Sequence, residues 1–290
     1  MTTATVAPRR RIPLPGAERT TWLRYVIAIL AVFTYAVPLY IAVVNAFKTN
    51  EQIAQSPVAL PAPFTLDNIV DVLTNPDSDM IGTLGRTAFV TATSVALIVL
   101  LGSMLGYYIG RNDRTFQRVL LIVLLLGLSI PSQVLLIPVS QVLRSVGLLS
   151  TYPGLILYNV AFYVPFAVLI FSRFMKSIPT ELDEAAAIDG AGPLRTYFTI
   201  IFPLMRPAAA SVTIFVSIWI WNDFVNPLIL LGPATGTTIM AGLYRTLGQY
   251  TSDFGGVFAY MFVATLPVLI LFLFLQKAFV SGLVAGASKG

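Results

Sequence analysis

Long stretches without a charged residue divide this chain. An α-helix rises 1.5 Å per residue, so crossing a hydrocarbon core about 30 Å thick takes roughly 20 residues without an uncompensated charge. Five stretches are long enough: residues 25–47 with 23, 87–110 with 24, 119–143 with 25, 145–172 with 28 and 254–276 with 23. A sixth span is predicted from Pro207 to about Leu231, apolar as far as the Asn222-Asp223 step that interrupts it. The pattern predicts an all-α polytopic membrane protein with six transmembrane helices. The first run exceeds the core of a cleavable signal, about 7–15 residues, and reads as a permanent helix. The expected organisation is a flexible tail over 1–21 and a first span over 22–47. An outer loop over 48–82, a core of five spans over 83–280 and a short tail over 281–290 follow.

Composition agrees with the pattern. The chain is 57% hydrophobic and 11% charged, where soluble proteins run at about 45–50% and about 25%. The formal charge is +5, but the basic residues are too sparse to form a stripe, so no nucleic-acid partner is expected. Their placement carries topology instead. Arg9, Arg10, Arg11, Arg19 and Arg24 precede span one, Arg111, Arg114 and Arg118 follow span two, Arg173, Lys176, Arg195 and Arg206 follow span four, and Lys277 and Lys289 follow span six. The opposite side holds only Lys48, Arg86, Arg144 and Arg245. Because cytoplasmic loops carry the excess of Lys and Arg, both termini are expected in the cytoplasm. The chain has neither Cys nor His, which excludes thiolate nucleophiles, imidazole bases and the usual zinc ligand sets. No catalytic residue, cofactor site or metal site is expected.

In the outer loop, Thr65 followed by apolar Leu66, Ile69, Val70 and Leu73 predicts a short amphipathic helix capped by Thr65, lying on the membrane surface or over the bundle. Gly102, Gly106 and Gly110 put three missing side chains on one face of span two, which predicts close approach of a neighbouring helix. Pro131 and Pro138 are expected to bend span three, and the polar residues around them, Ser129, Ser132, Gln133, Ser140 and Gln141, favour a cavity there.

The 33 residues from Met175 to Pro207 form the longest loop expected on the cytoplasmic side, and a loop of this length usually has a function. Thr180 is placed to cap a helix, Asp183 to close the capping box, and the three acids Glu181, Asp183 and Glu184 suit the positive end of the dipole. That role accounts for Asp183. The helix is expected to stop at Gly190 in a left-handed turn, and a second to start at Gly192-Pro193 and end at Pro203. Two short helices joined by a glycine turn make a rigid knob, and a knob implies a socket.

Glu184-Ala185-Ala186, three residues, Gly190, nine residues, Ile200, one residue and Phe202-Pro203 resembles the EAA loop of bacterial ABC importer permeases, departing only at Phe202 where the pattern has Leu. Phe47-Lys48-Thr49, Thr65-Leu66-Asp67-Asn68, Gly147-Leu148 and Trp221-Asn222-Asp223-Phe224 extend the resemblance to the MalG-type carbohydrate branch. The resemblance implies a MetI-like permease core in the bacterial cytoplasmic membrane. It also implies an ATPase-coupling set of Glu184, Ala185, Ala186, Asp189, Gly190, Ile200 and Pro203. The implied partners are two ATP-binding cassette subunits that hold ATP and Mg, a second related permease and an extracytoplasmic solute-binding protein, all in contact with membrane lipid. The chain itself has no G-x-x-x-x-G-K-S/T phosphate loop.

Asp223 asks for an explanation, since a charge at membrane depth costs about 2.5–3.5 kcal/mol on insertion scales. On a continuous helix it would stand about 24 Å beyond Pro207. With Asn222, Asn226, Trp219 and Trp221 it makes a candidate sugar-facing patch, because sugars combine hydroxyls with apolar ring faces. Gln133 and Asn159 are further candidates for the substrate path. An interfacial anchor, where Trp normally sits, is the competing explanation. A permease for a non-sugar solute and an ion-coupled secondary transporter are the alternative functions; the latter normally shows internal repeats and several buried carboxylates.

Overall fold

The computed structural model describes residues 17–112, 114–232, 235–249 and 253–287. Among them every regular element is helical. In chain order these are α1 (Ala17–Asn45), α2 (Asn50–Gln55), α3 (Asp67–Thr74), α4 (Met80–Arg111), α5 (Thr115–Leu128), α6 (Ser132–Ser145) and α7 (Tyr152–Met175). Then come α8 (Glu181–Ile188), α9 (Pro193–Thr196), a π-helical turn at Tyr197–Ile201, α10 (Phe202–Leu204), α11 (Arg206–Trp221), α12 (Val225–Leu230), α13 (Ile239–Gln249) and α14 (Phe254–Ala287). Most of the tail expected over 1–21 and the last three residues lie outside the described residues.

Among the described residues four helices are long and apolar enough to cross a membrane unaided, α1, α4, α7 and α14, and two bent pairs bring the number to six if each is one span. Span three is not one helix. It is α5 and α6, meeting at 101°, because Pro131 has no N–H to give and disfavours helical geometry at Ile130 before it. Pro138, by contrast, sits inside α6. The fifth span also differs from expectation. Its helix ends at Trp221, Asn222 is its C-cap, and the chain turns before α12, so Asp223 lies past the helix end rather than along it. At its other end α11 meets the α9–α10 segment at 75°.

The centre of the bundle is the α4–α7 pair, its most extensive helix contact. A Cβ placed on Gly102, Gly106 or Gly110 would come within 2.5 Å of the Cβ of Ala167, Phe171 or Met175 respectively. Glycine every fourth residue on one helix thus receives a side chain every fourth residue on the other. Close backbone approach of this kind supplies dispersion where lipid removes the hydrophobic drive for helix association. Some polar residues in α4 are satisfied within the helix, as where Thr87 donates to Thr83 O at 2.8 Å, which limits the cost of placing them inside an apolar bundle. α11 packs on both α4 and α14. Residues 22–40 of α1 are exposed throughout.

Two sequence motifs, 18 residues apart, make one structural unit. Thr49 caps α2 in a reciprocal box with Gln52, the buried Lys48 donates its Nζ to Ser56 O at 3.0 Å and Pro57 O at 3.3 Å, and Phe47 stacks on Phe64. Burial holds the Lys48 ammonium below the ordinary lysine pKa. Asn68 then donates to Lys48 O at 2.7 Å and Ala46 O at 3.3 Å, which fastens α3 to the end of α1. α3 covers the bundle against α14, turning Ile69, Val72 and Leu73 inward while Leu66 and Val70 stay exposed. Its buried face is therefore rotated from the one the spacing indicated. Thr65 accepts from Asp67 N at 3.0 Å, but the N-cap position belongs to Leu66.

Candidate functional site

The bend between α5 and α6, the break after α11 and one face of α7 surround a cavity of about 640 Å³. Breaking two helices beside one cavity frees backbone and polar side chains that continuous helices would have turned elsewhere. Gln133 enters from the first turn of α6, and Asn222 and Asp223 from the break after α11. Asn226 anchors the rim: its backbone N and Nδ2 donate to Asp223 at 3.2 and 2.6 Å, and its Oδ1 accepts from the Tyr158 hydroxyl at 3.2 Å. Asn226 is thereby bonded through both its amide nitrogen and its amide oxygen and is buried, while Gln133 and Asn222 remain exposed.

Beside this polar rim is an aromatic wall. Trp219, partly exposed, stacks on Tyr163 with centroids 5.7 Å apart and takes Phe166 edge-on at 4.8 Å. The combination of amides and one carboxylate with a flat indole suits a ligand that has both hydroxyls and an apolar face.

Four of the substrate-path residues expected from sequence, Gln133, Asn222, Asp223 and Asn226, are brought together. Two are not. Trp221 is buried between α11 and α14, donating Nε1 to Ala264 O at 3.0 Å; two residues from Trp219 on a helix is about 200° of rotation, so the two indoles face opposite sides. Asn159 is buried against α4, donating to Ser94 Oγ at 3.3 Å. Sequence reasoning missed Tyr158, Phe162, Tyr163 and Phe166. Their spacing was a signal, since i, i+4, i+5 and i+8 share a helix face, but α7 read only as uniformly apolar.

A second site lies at the loop between α7 and α11. α8 ends as expected: Gly190 has φ +75°, Ala191 N donates to Ala186 O at 2.9 Å and Gly190 N to Ala187 O at 3.0 Å, the two bonds of a Schellman turn. Gly192 then caps α9 with Pro193 in its first turn. Its start differs. Thr180 makes no side-chain cap, its backbone being helical where a capping residue is extended, and Asp183, which was to close the box, is drawn aside by Arg111 at 2.6 Å and by the Tyr107 hydroxyl. Nor does the second helix end at Pro203; the chain runs through it to Met205, where α11 begins. Glu184, Ala185, Asp189 and Gly190 are exposed, with Ile188 and Leu194 beside them. Ala186 is buried, and Ile200 and Pro203 are half-buried on the return path. Of the two alanines in the motif, one therefore serves the outer surface and the other the fit of the knob to its own chain.

Residues 98–284 match the family of binding-protein-dependent transport system inner membrane components. The chain is 33% identical over 270 residues to the multiple sugar-binding transport system permease protein MsmG of Streptococcus mutans, covering 92% of this chain and 96% of that protein. It is 30% identical over 277 residues to the melibiose/raffinose/stachyose import permease protein MelC of Bacillus subtilis, covering 94% and 99%. Its fold matches a chain of a bacterial ABC transporter that imports the acidic polysaccharide alginate, with a TM-score of 0.77 at 18% identity, over 93% of this chain and 100% of that one.

Proposed function

Because the chain belongs to the family of binding-protein-dependent transport system inner membrane components, we propose that it is the permease subunit of an ATP-driven importer for a sugar or a related polyol or sugar phosphate. The cavity at the two helix breaks is the part of the substrate path that this subunit contributes. The carrying observation is that Asn222, Asp223 and Gln133 line one cavity together with the exposed Trp219. Sugars present hydroxyls that donate to a carboxylate and accept from amides, and ring faces that stack on indole. The sugar permeases among its relatives support the same substrate class.

In this reading the protein sits in the bacterial cytoplasmic membrane with residues 175–207 on the cytoplasmic side. The exposed knob of α8 docks in a groove of a separate ATPase subunit, with Glu184 as an acceptor for a basic side chain there. Asp189 and Gly190 lie on the same exposed turn. ATP and Mg belong to a pair of such subunits, and closing that pair carries the knob so that the cavity alternates between the two faces of the membrane. A second, related permease completes the path, and an extracytoplasmic binding protein delivers the solute. The exposed length of α1 is taken up by lipid or by that second permease.

The test is uptake of labelled mono- and disaccharides into vesicles holding the assembled transporter and its binding protein. ATP-dependent accumulation of a sugar, lost when Asn222 and Asp223 are both replaced by Ala, is the expected result. Uptake that persists without ATP, or an unchanged rate in the double variant, would overturn the corresponding half of the proposal.

A further inference from the structure

One face of α4 carries a polar stripe that membrane insertion alone would not favour. Ser103, Tyr107 and Arg111 stand four residues apart, next to the glycine face that receives α7. All three reach into the loop between α7 and α11. Ser103 Oγ meets the Tyr197 hydroxyl at 2.6 Å in a buried contact. The Tyr107 hydroxyl donates to Asp183, and its ring lies 5.8 Å from that of Tyr197. Arg111 pairs with Asp183 at 2.6 Å and donates to Ile178 O at 2.7 Å and Pro179 O at 3.1 Å. The stripe therefore holds the start of α8 and the π-helical turn at the same time, gripping the knob from both arms of its loop.

We propose that Ser103, Tyr107 and Arg111 form a strut that carries the displacement of the docked α8 into the α4–α7 pair, with Tyr107 and Arg111 acting as positioning residues through Asp183. The inference rests on the coupling role of α8 proposed above. The covalent path from α8 to α11 passes through a glycine turn, a π-helical turn and a 75° bend, which makes it the more compliant route. The route through Asp183 is short: it joins an ion pair with Arg111 to a hydrogen bond from Tyr107 onto a carboxylate, a charge-assisted bond of a kind roughly twice as strong as a neutral one. It enters a helix pair locked by Gly102, Gly106 and Gly110, and α7 carries Tyr163 and Phe166 of the cavity wall. Motion of the knob thus arrives at the cavity through α7 as part of one body, while α11 adjusts across its bend. This assigns Asp183 a role beyond stabilising a helix N-terminus.

The chain has no cysteine, so a single Ser132→Cys in the cavity gives one maleimide site on this subunit, read on its own band after the subunits are separated by gel. In the complex purified with its ATPase subunits, the labelling rate is measured without nucleotide and after trapping with ATP and vanadate. Tyr107→Phe, which keeps the ring and removes only the hydroxyl, and Asp183→Asn are each expected to retain the ATPase subunits. Each should shrink the nucleotide-dependent change in labelling about tenfold, within the usual range of coupling between sites. The double variant should behave as Asp183→Asn alone, since both act at one contact. An undiminished change in the two single variants, or effects that multiply, would overturn the strut. Glu184→Lys is the separate control: it should lose the ATPase subunits, and their retention would count against the docking of α8 itself.

Discussion

Asp223 and Asn226 are locked together by two hydrogen bonds, from the backbone N and Nδ2 of Asn226 to the two carboxylate oxygens, at 3.2 and 2.6 Å. This clasp closes the break after α11 and fixes where the carboxylate stands in the cavity. Asp223→Asn keeps the size and removes the charge, so the lost charge-assisted bonds, about 1.5–3 kcal/mol each, should reduce sugar uptake by tenfold or more with the protein still present in the membrane. Uptake rates normalised to the amount of complex check this. Asn226→Ala should be worse, because it leaves the Tyr158 hydroxyl without its acceptor and Asp223 without the side-chain amide, keeping the backbone N–H of residue 226.

Trp219 and Trp221 should respond in opposite ways. Trp219→Ala removes the exposed stacking face and is expected to raise the half-saturation concentration for sugar uptake or lower its rate, with little loss of stability. Trp221→Ala opens a cavity between α11 and α14 and loses the bond to Ala264 O, at a cost of about 3–5 kcal/mol by analogy with other buried aromatics. Thermal unfolding of the two variants in detergent, set beside their uptake, separates binding from packing.

The contact between α4 and α7 predicts a graded series. Gly106→Ala brings its Cβ to 2.5 Å from Phe171 Cβ, closer than two carbons can pack, and should destabilise the complex by about 1–3 kcal/mol. Gly127→Ala meets nothing within 4 Å and should be neutral. A lowered midpoint of thermal unfolding in the first and an unchanged one in the second is the expected pair of results.

The same contrast shows what a sequence of this kind discloses. Glycines at 102, 106 and 110 announce a close helix contact because only one residue type permits it, and Gly190 and Pro193 mark the turn of the knob for the same local reason. Charge-free length found the long helices. At residues 119–143 and 207–231 it marked apolar stretches but not their breaks, since a break costs no apolar residue; the signal there was Pro131, which did announce the bend of span three, and the Asn222-Asp223 step. α13 went unpredicted because it is short and polar-flanked. The cavity was legible on its polar side, where amides and a carboxylate are unusual in a span. It was illegible on its aromatic side, where Tyr163 and Phe166 differ from lipid-facing residues only in which face of α7 they occupy. Asp183 was misjudged because its partner Arg111 lies 72 positions earlier, and no local pattern connects them.

The turn after α8 tests whether the knob must keep its shape. Gly190 holds φ +75° with open space where a Cβ would go, so a side chain there is resisted by backbone strain alone. Gly190→Ala should cost about 1–2 kcal/mol and Gly190→Asn less, since Asn tolerates the left-handed region. Both variants should keep most of their transport. Gly190→Pro cannot reach positive φ and removes the N–H that bonds Ala187 O at 3.0 Å, so the Schellman turn is lost and α8 is reoriented. The protein should still insert, with its long helices untouched, while ATP hydrolysis in the complex ceases to drive uptake. Measuring sugar accumulated per ATP hydrolysed across the series decides the matter: a graded loss from Asn to Ala to Pro is expected, and a Pro variant with the wild-type ratio would mean that the geometry of this turn does not couple the two processes.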